Sequence, residues 1–208
     1  MAREKGLLVD YLPFEVTRDQ INESMKEHDG KLVVKGVLQR ADVKNQNGRI
    51  YPKETLMREA KKYAQVQVKE RRALGELDHP DSSVVNLNNV SHNVREMHWE
   101  NEDLLGEVEV LGTPSGNILK ELFRSGIKLG ISSRGLGSVE EISEGDGEIP
   151  VVKVQPDFEL IAFDFVSNPS TQGAFLRPMN ESISRKISKK QAKYQKLNNI
   201  IIDILSGE

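Results

Sequence analysis

Leu104-Leu105-Gly106-Glu107-Val108-Glu109-Val110-Leu111 alternates apolar and polar side chains with a period of two, the pattern of a half-buried strand. The preceding run, Val84 to Trp99, also reads as extended, so together they predict an antiparallel hairpin. Working outward, Thr113-Pro114 is a helix start, a hydroxyl cap followed by proline at the first helical position. Ile118, Leu119, Leu122 and Phe123 give that helix its buried face, and Gly126 ends it. Lys128 to Ser138 reads as a glycine-bearing strand, Glu140 to Glu148 as an acidic hairpin tip, and Val151–Val154 and Phe158–Ser167 as two further strands. Upstream lie a short strand at Leu74, a helix from Pro52 to about Glu70, a β-branched strand over Lys31–Leu38 and a helix over Thr17–Glu27. Strands and helices do not alternate regularly. The pattern predicts an α+β fold with a mostly antiparallel sheet or barrel and argues against a doubly wound one.

The chain of 208 residues is 37% apolar and 29% charged, with no cysteine. Disulfides, cysteine-ligated zinc, iron–sulfur clusters and thiol catalysis are excluded, so any nucleophile is an oxygen or a lysine. No apolar run approaches the ~20 residues of a membrane span, and the N-terminus does not read as a signal peptide. Residues 177–208 hold seven basic and three acidic groups, a balance of +4; with -3 for the whole chain, residues 1–176 carry -7. Two regions follow: a body over 1–176 and a basic, helical tail over 177–208, its helix running from about Ser182 to Leu205. Such a tail suits an acidic partner, or the body itself, better than specific nucleic-acid readout, because a single aromatic residue, Tyr194, is too few for the aromatic interleaving such readout uses.

Three segments carry candidate chemistry. His79, in Asp78-His79-Pro80-Asp81, sits at a strand end in a proline-stiffened loop, a good place for proton transfer near neutral pH. Ser132 and Ser133 lie among glycines in Gly130-Ile131-Ser132-Ser133-Arg134-Gly135, where close approach to the backbone is open. Asp164 interrupts the apolar run Leu160–Val166 and needs a cation or a histidine N–H as partner, while Glu159, the competing acid, faces the other way. Histidine, serine and aspartate are the three roles of acyl transfer. The competing chemistry is a zinc site made of Asp78, His79, Asp81 and His92, whose spacing matches no specific metal motif.

These same residues resemble a known family. Gly75-Glu76-Leu77-Asp78-His79-Pro80, Val90-Ser91-His92, Leu111-Gly112-Thr113-Pro114-Ser115-Gly116, Leu129-Gly130-Ile131-Ser132-Ser133-Arg134-Gly135 and Phe163-Asp164-Phe165-Val166-Ser167-Asn168-Pro169 look like the prohead core proteases of T-even-type tailed bacteriophages, and Asn47-Gly48-Arg49-Ile50-Tyr51-Pro52 fits the pattern upstream. The resemblance spans roughly residues 30–170. It implies a small, mostly antiparallel β-barrel flanked by helices, similar to herpesvirus assembly proteases. It implies a serine endopeptidase inside the prohead in the infected bacterial cytoplasm, cleaving scaffold or core proteins, the major capsid protein and itself after glutamate. Carried over, His79 is the base and Ser133 the nucleophile, because the wider superfamily favours Ser-x-Gly. Ser132 is the alternative, Asp164 the third member, and Arg134 and Gly135 the oxyanion support. No metal, cofactor or membrane enters, and self-association is left open. On the same resemblance the tail is removable, with Glu181 or Glu208 marking a processing site. The contrasting expectation is a non-catalytic scaffold or capsid-assembly binding protein with the same fold.

Overall fold

The computed structural model describes residues 5–80, 82–142 and 151–167. Of the expected acidic tip Glu140–Glu148, residues 140–142 belong to a strand and 143–148 lie outside the described residues, as do Asp81 and the whole tail 177–208 with its expected helix, Glu181 and Glu208. The predicted hairpin is β5 (Val90–Glu100) and β6 (Asp103–Val110), paired antiparallel. β2 (Leu32–Arg40) lies on the other edge of β6, and β4 (Leu74–Glu76) beyond β5, giving the order β2-β6-β5-β4. A second antiparallel sheet has β7 (Leu129–Gly137) at its centre, between β1 (Gly6–Phe14) and β10 (Glu159–Val166). A small third sheet joins β3 (Arg49–Ile50), β9 (Val151–Val154) and β8 (Val139–Ile142).

Three helices complete the described fold. Thr17 caps α1 (Arg18–Glu27) in a capping box with Gln20. α2 (Lys53–Tyr63) runs on into one π-helical turn over Ala64–Val68. α3 (Pro114–Arg124) starts at the predicted cap: Thr113 accepts from the Gly116 N–H while its own hydroxyl donates to the Val90 carbonyl, tying the helix start to β5. Among the described helices, none is long and apolar enough to cross a membrane.

The main core lies between the two larger sheets. Phe165 sits at its middle, edge-to-face with Phe14, Phe123 and His92. Aromatic pairs of this kind add ~1 kcal/mol each to the burial of the rings. A second cluster packs Leu8, Ala41, Tyr51, Leu56, Val154 and Phe158 together.

The expected barrel is corrected. The described strands do not close; the two larger sheets meet at a seam. At that seam a single parallel bridge, Leu77–Phe165, and the Asp78 N–H on the Phe165 carbonyl (2.7 Å) join β4's end to β10. Two residues before Asp78, the Glu76 N–H goes to the Asp164 carboxylate (3.0 Å). A side chain thus takes the amide that a neighbouring strand would have used, and the ladder stops there.

Candidate active site

β7 carries both serines, and its register decides where each hydroxyl goes. Residues directly opposed across an antiparallel ladder share a face, and successive residues alternate. Ser132 is opposed by Tyr11 on one side and Asp164 on the other; Ser133 is opposed by Asp10 and Phe163. Ile131, Ser133 and Gly135 therefore face the core, and Ser132 and Arg134 face away from it. The two hydroxyls are on opposite sides of the sheet, although both residues are 1% exposed.

Their surroundings differ accordingly. Ser133 Oγ accepts a hydrogen bond from Gln39 Nε2 at 2.6 Å, inside a buried polar pocket. On the same face, Asp10 receives Arg49 Nη1 and Asn47 Nδ2, each at 2.8 Å, and the Tyr51 hydroxyl. This is where the Asn47-Gly48-Arg49-Ile50-Tyr51 motif goes: it neutralises and fills the space around Asp10 on β1. Ser132 Oγ is buried with no hydrogen-bond partner among the described residues.

The Ser132 face holds the charged groups. Arg134 donates to Asp164 through Nε (2.8 Å to Oδ2) and Nη2 (3.1 Å to Oδ1). Its Nη2 also reaches Glu76 Oε1 at 3.0 Å, and its Nη1 the Ser82 carbonyl at 2.7 Å. Glu76 Oε1 accepts in addition from the Asn86 N–H at 3.0 Å. Arg134, Glu76 and Asp164 are all completely buried. Burial pushes the Asp164 carboxyl above its ordinary range, while the guanidinium works against that rise. Because Arg134 reaches Ser82, and Glu76 reaches Asn86, the loop that follows β4 lies over this face. His79 belongs to that loop. It is half-buried, its N–H is on Asp78 Oδ1 (3.0 Å), and Asp78 takes the left-handed conformation at φ +66°.

Several expectations are corrected by this geometry. Asp164 and Ser133 cannot serve one triad, because the sheet stands between them; Asp164 shares its face with Ser132. Both Asp164 oxygens are held by Arg134, with the Glu76 N–H also on Oδ1, which answers the cation demanded of a carboxylate in an apolar strand. Four of the N–H donors of Arg134 go to Asp164, Glu76 and the Ser82 carbonyl, which holds its guanidinium in that cluster. Gly135 is bare because the Phe158 ring fills its place, a Cβ there lying 2.3 Å from that ring, and Gly130 is bare because the Tyr11 ring lies over it. β7 is the central strand, so its amides go into ladders on both edges rather than toward a substrate oxygen. His92 leaves the expected zinc set. Its Nε2 donates to the Phe163 carbonyl (2.9 Å), so Nδ1 accepts from the Ser91 hydroxyl (2.8 Å), and burial lowers its pKa to about 4. Gln39 and Glu76 carry no role in the sequence reading. A charged residue within the short strand Leu74-Gly75-Glu76 was the available signal for the second.

The described site thus has a serine doublet on the central strand of an antiparallel sheet, with a histidine loop over one face. The chain belongs to the prohead core protein serine protease family, whose model matches residues 2–185. It is 34% identical over 164 residues to the prohead core protein protease of enterobacteria phage T4, a match covering 74% of this chain and 75% of that relative. The solved structure of the bacteriophage T4 capsid assembly protease is similar with a TM-score of 0.68 at 28% identity, over 80% of this chain and 99% of that one.

Proposed function

We propose that this protease is a serine endopeptidase with Ser132 as nucleophile and His79 as base, acting inside the prohead on scaffold and capsid precursor proteins and on itself, after glutamate. One observation carries the choice of serine: Ser132 Oγ is buried without a partner on the face covered by the histidine loop, whereas Ser133 Oγ is bound to Gln39 on the other face. A buried hydroxyl left unmatched costs ~1–3 kcal/mol, and such groups survive where chemistry uses them. Ser132 is covered in this structure, so a peptide reaches it when the covering chain moves aside.

The reaction follows from the two groups. His79 takes the Ser132 hydroxyl proton as the Oγ–carbon bond forms and the carbonyl electron pair moves onto oxygen. The tetrahedral species collapses, the carbon–nitrogen bond breaks, and His79 returns the proton to the departing amine. Water repeats the sequence on the acyl-enzyme, releasing the acid and restoring Ser132.

The test compares Ser132→Ala with Ser133→Ala on a capsid or scaffold protein from the same phage, with product termini read by mass spectrometry. Ser132→Ala abolishes cleavage, including any after Glu181 of its own tail, while Ser133→Ala retains activity in proportion to its folded fraction. Loss of cleavage in Ser133→Ala with normal folding, and retention in Ser132→Ala, would overturn the assignment. Wild-type protein that cleaves nothing would return the chain to the class of non-catalytic assembly proteins.

A further inference from the structure

The Ser132 face holds two buried carboxylates, and only one has an oxygen to spare. Asp164 Oδ2 accepts from Arg134 Nε, and Oδ1 from Arg134 Nη2 and the Glu76 N–H. Glu76 Oε1 accepts from Arg134 Nη2 and the Asn86 N–H. Glu76 Oε2 is buried with no hydrogen-bond partner among the described residues. An unmatched oxygen on a fully buried carboxylate is a costly arrangement that calls for a donor.

A candidate donor follows along the chain. His79 follows Glu76 by three residues, and the two residues between are fixed: Leu77 bridges Phe165, and the Asp78 N–H is on the Phe165 carbonyl. The far side of the loop is fixed to the same cluster, through Asn86 on Glu76 and Ser82 on Arg134. The backbone of His79 is thereby held in relation to Glu76 from both ends of its loop. Charge points the same way. The cluster sets two carboxylates against one guanidinium, so with both ionised it is one negative charge in excess, and an imidazolium would balance it. Among the described residues, the charged groups around this point are Arg134 on β7, Asp164 on β10 and Asp78 on the histidine's own loop. His92, whose pKa lies at about 4, is neutral near pH 7.

We infer that Glu76, and not Asp164, is the carboxylate that orients His79 and stabilises its imidazolium during turnover. Glu76 is a positioning residue; the proton stays on His79, and Glu76 Oε2 accepts the hydrogen bond from the ring. Asp164 and Arg134 form the clamp that holds Glu76 and the loop. This inference rests on Ser132 and His79 being the reacting pair.

The test is the pH profile of peptide cleavage by full-length protein carrying Glu76→Gln or Asp164→Asn. Glu76→Gln keeps an oxygen for Asn86 and removes the charge. It lowers kcat by on the order of 10²–10³-fold, less than the ~10⁴-fold known for a triad Asp→Asn change, with KM little changed. The acid limb of kcat/KM moves to lower pH by about one unit, as expected when a nearby carboxylate charge is lost. Asp164→Asn costs stability and moves the limb less than half as far. An unmoved limb in Glu76→Gln, or a larger movement in Asp164→Asn, overturns the inference. A crystal structure of the unmutated chain with a peptide boronate supplies a check that needs no variant to fold: Glu76 Oε2 lies within hydrogen-bond distance of a His79 ring nitrogen, and Asp164 in that place refutes it. Ser132→Ala and His79→Ala separate the two levels. If either remains active, the serine–histidine reading fails; if both are dead and Glu76→Gln is normal, this inference alone fails.

Discussion

Acidification provides a sharp test of the core, because one histidine is built into it as a neutral group. His92 is completely buried, its ring lies 4.7 Å from that of Phe165, and both ring nitrogens are bonded. Burial lowers its pKa from 6.5 to about 4. In this window the unfolded chain binds a proton that the folded chain does not, so stability rises with pH between about 4 and 6.5 and is lost as pH falls through it. A tenfold change in proton affinity is worth ~1.4 kcal/mol, so going from pH 7 to pH 5 removes roughly 2 kcal/mol through this one side chain. That is a substantial share of the ~5–15 kcal/mol that stabilises a domain. Urea unfolding at both pH values, in wild type and in His92→Gln, isolates the contribution, because glutamine does not titrate. Wild type loses about 2 kcal/mol more than the variant over this interval. Parallel losses would refute the reasoning, as would an NMR titration in which the His92 ring of the folded protein protonates near pH 6.5.

Two further outcomes follow from the packing. In Gly75→Ala, the new Cβ lies 2.0 Å from the Phe163 carbonyl oxygen and 2.2 Å from His92 Nε2. Since one obstacle is backbone, the sheet must shift, and urea denaturation shows a loss of about 3 kcal/mol or more; a loss under about 0.5 kcal/mol contradicts the close approach. Arg134→Met strands Glu76 and Asp164 without their cation, which costs roughly 3–5 kcal/mol. Adding Asp164→Asn to that variant restores part of the loss, and a thermal midpoint that falls further instead would show that the carboxylates do not repel.

Much of the fold was legible because its signals are local. Alternation over Leu104–Leu111 located the hairpin, and Thr113-Pro114 located α3 to the residue. β1 went unread, since Asp10 and Pro13 break its pattern. Asp10 is tolerated only because Arg49 and Tyr51, some forty residues away, close around it. The site was legible in composition and not in geometry. The serine doublet, His79 and Asp164 could all be picked out. Which serine faces which carboxylate depends on the β7–β10 register, a pairing across some thirty residues that no local pattern encodes. The glycines pointed the wrong way for a similar reason: the rings that occupy their missing side chains, Tyr11 and Phe158, come from elsewhere in the chain. Glu76 reads as an ordinary surface acid until Arg134, 58 residues downstream, arrives beside it.

The serine doublet also bears on how the strand finds its place. Sliding β7 by one position toward its start would bring Ser133 to the place of Ser132, so at that one position the strand cannot tell a right alignment from a wrong one. The neighbouring residue can. The same slip would turn the Arg134 guanidinium toward the side where Leu8 and Phe158 pack, stripped of both carboxylates. Arg134 is thus the strand's index mark: whatever it does for the histidine loop, it also makes a misthreaded chain too costly to persist.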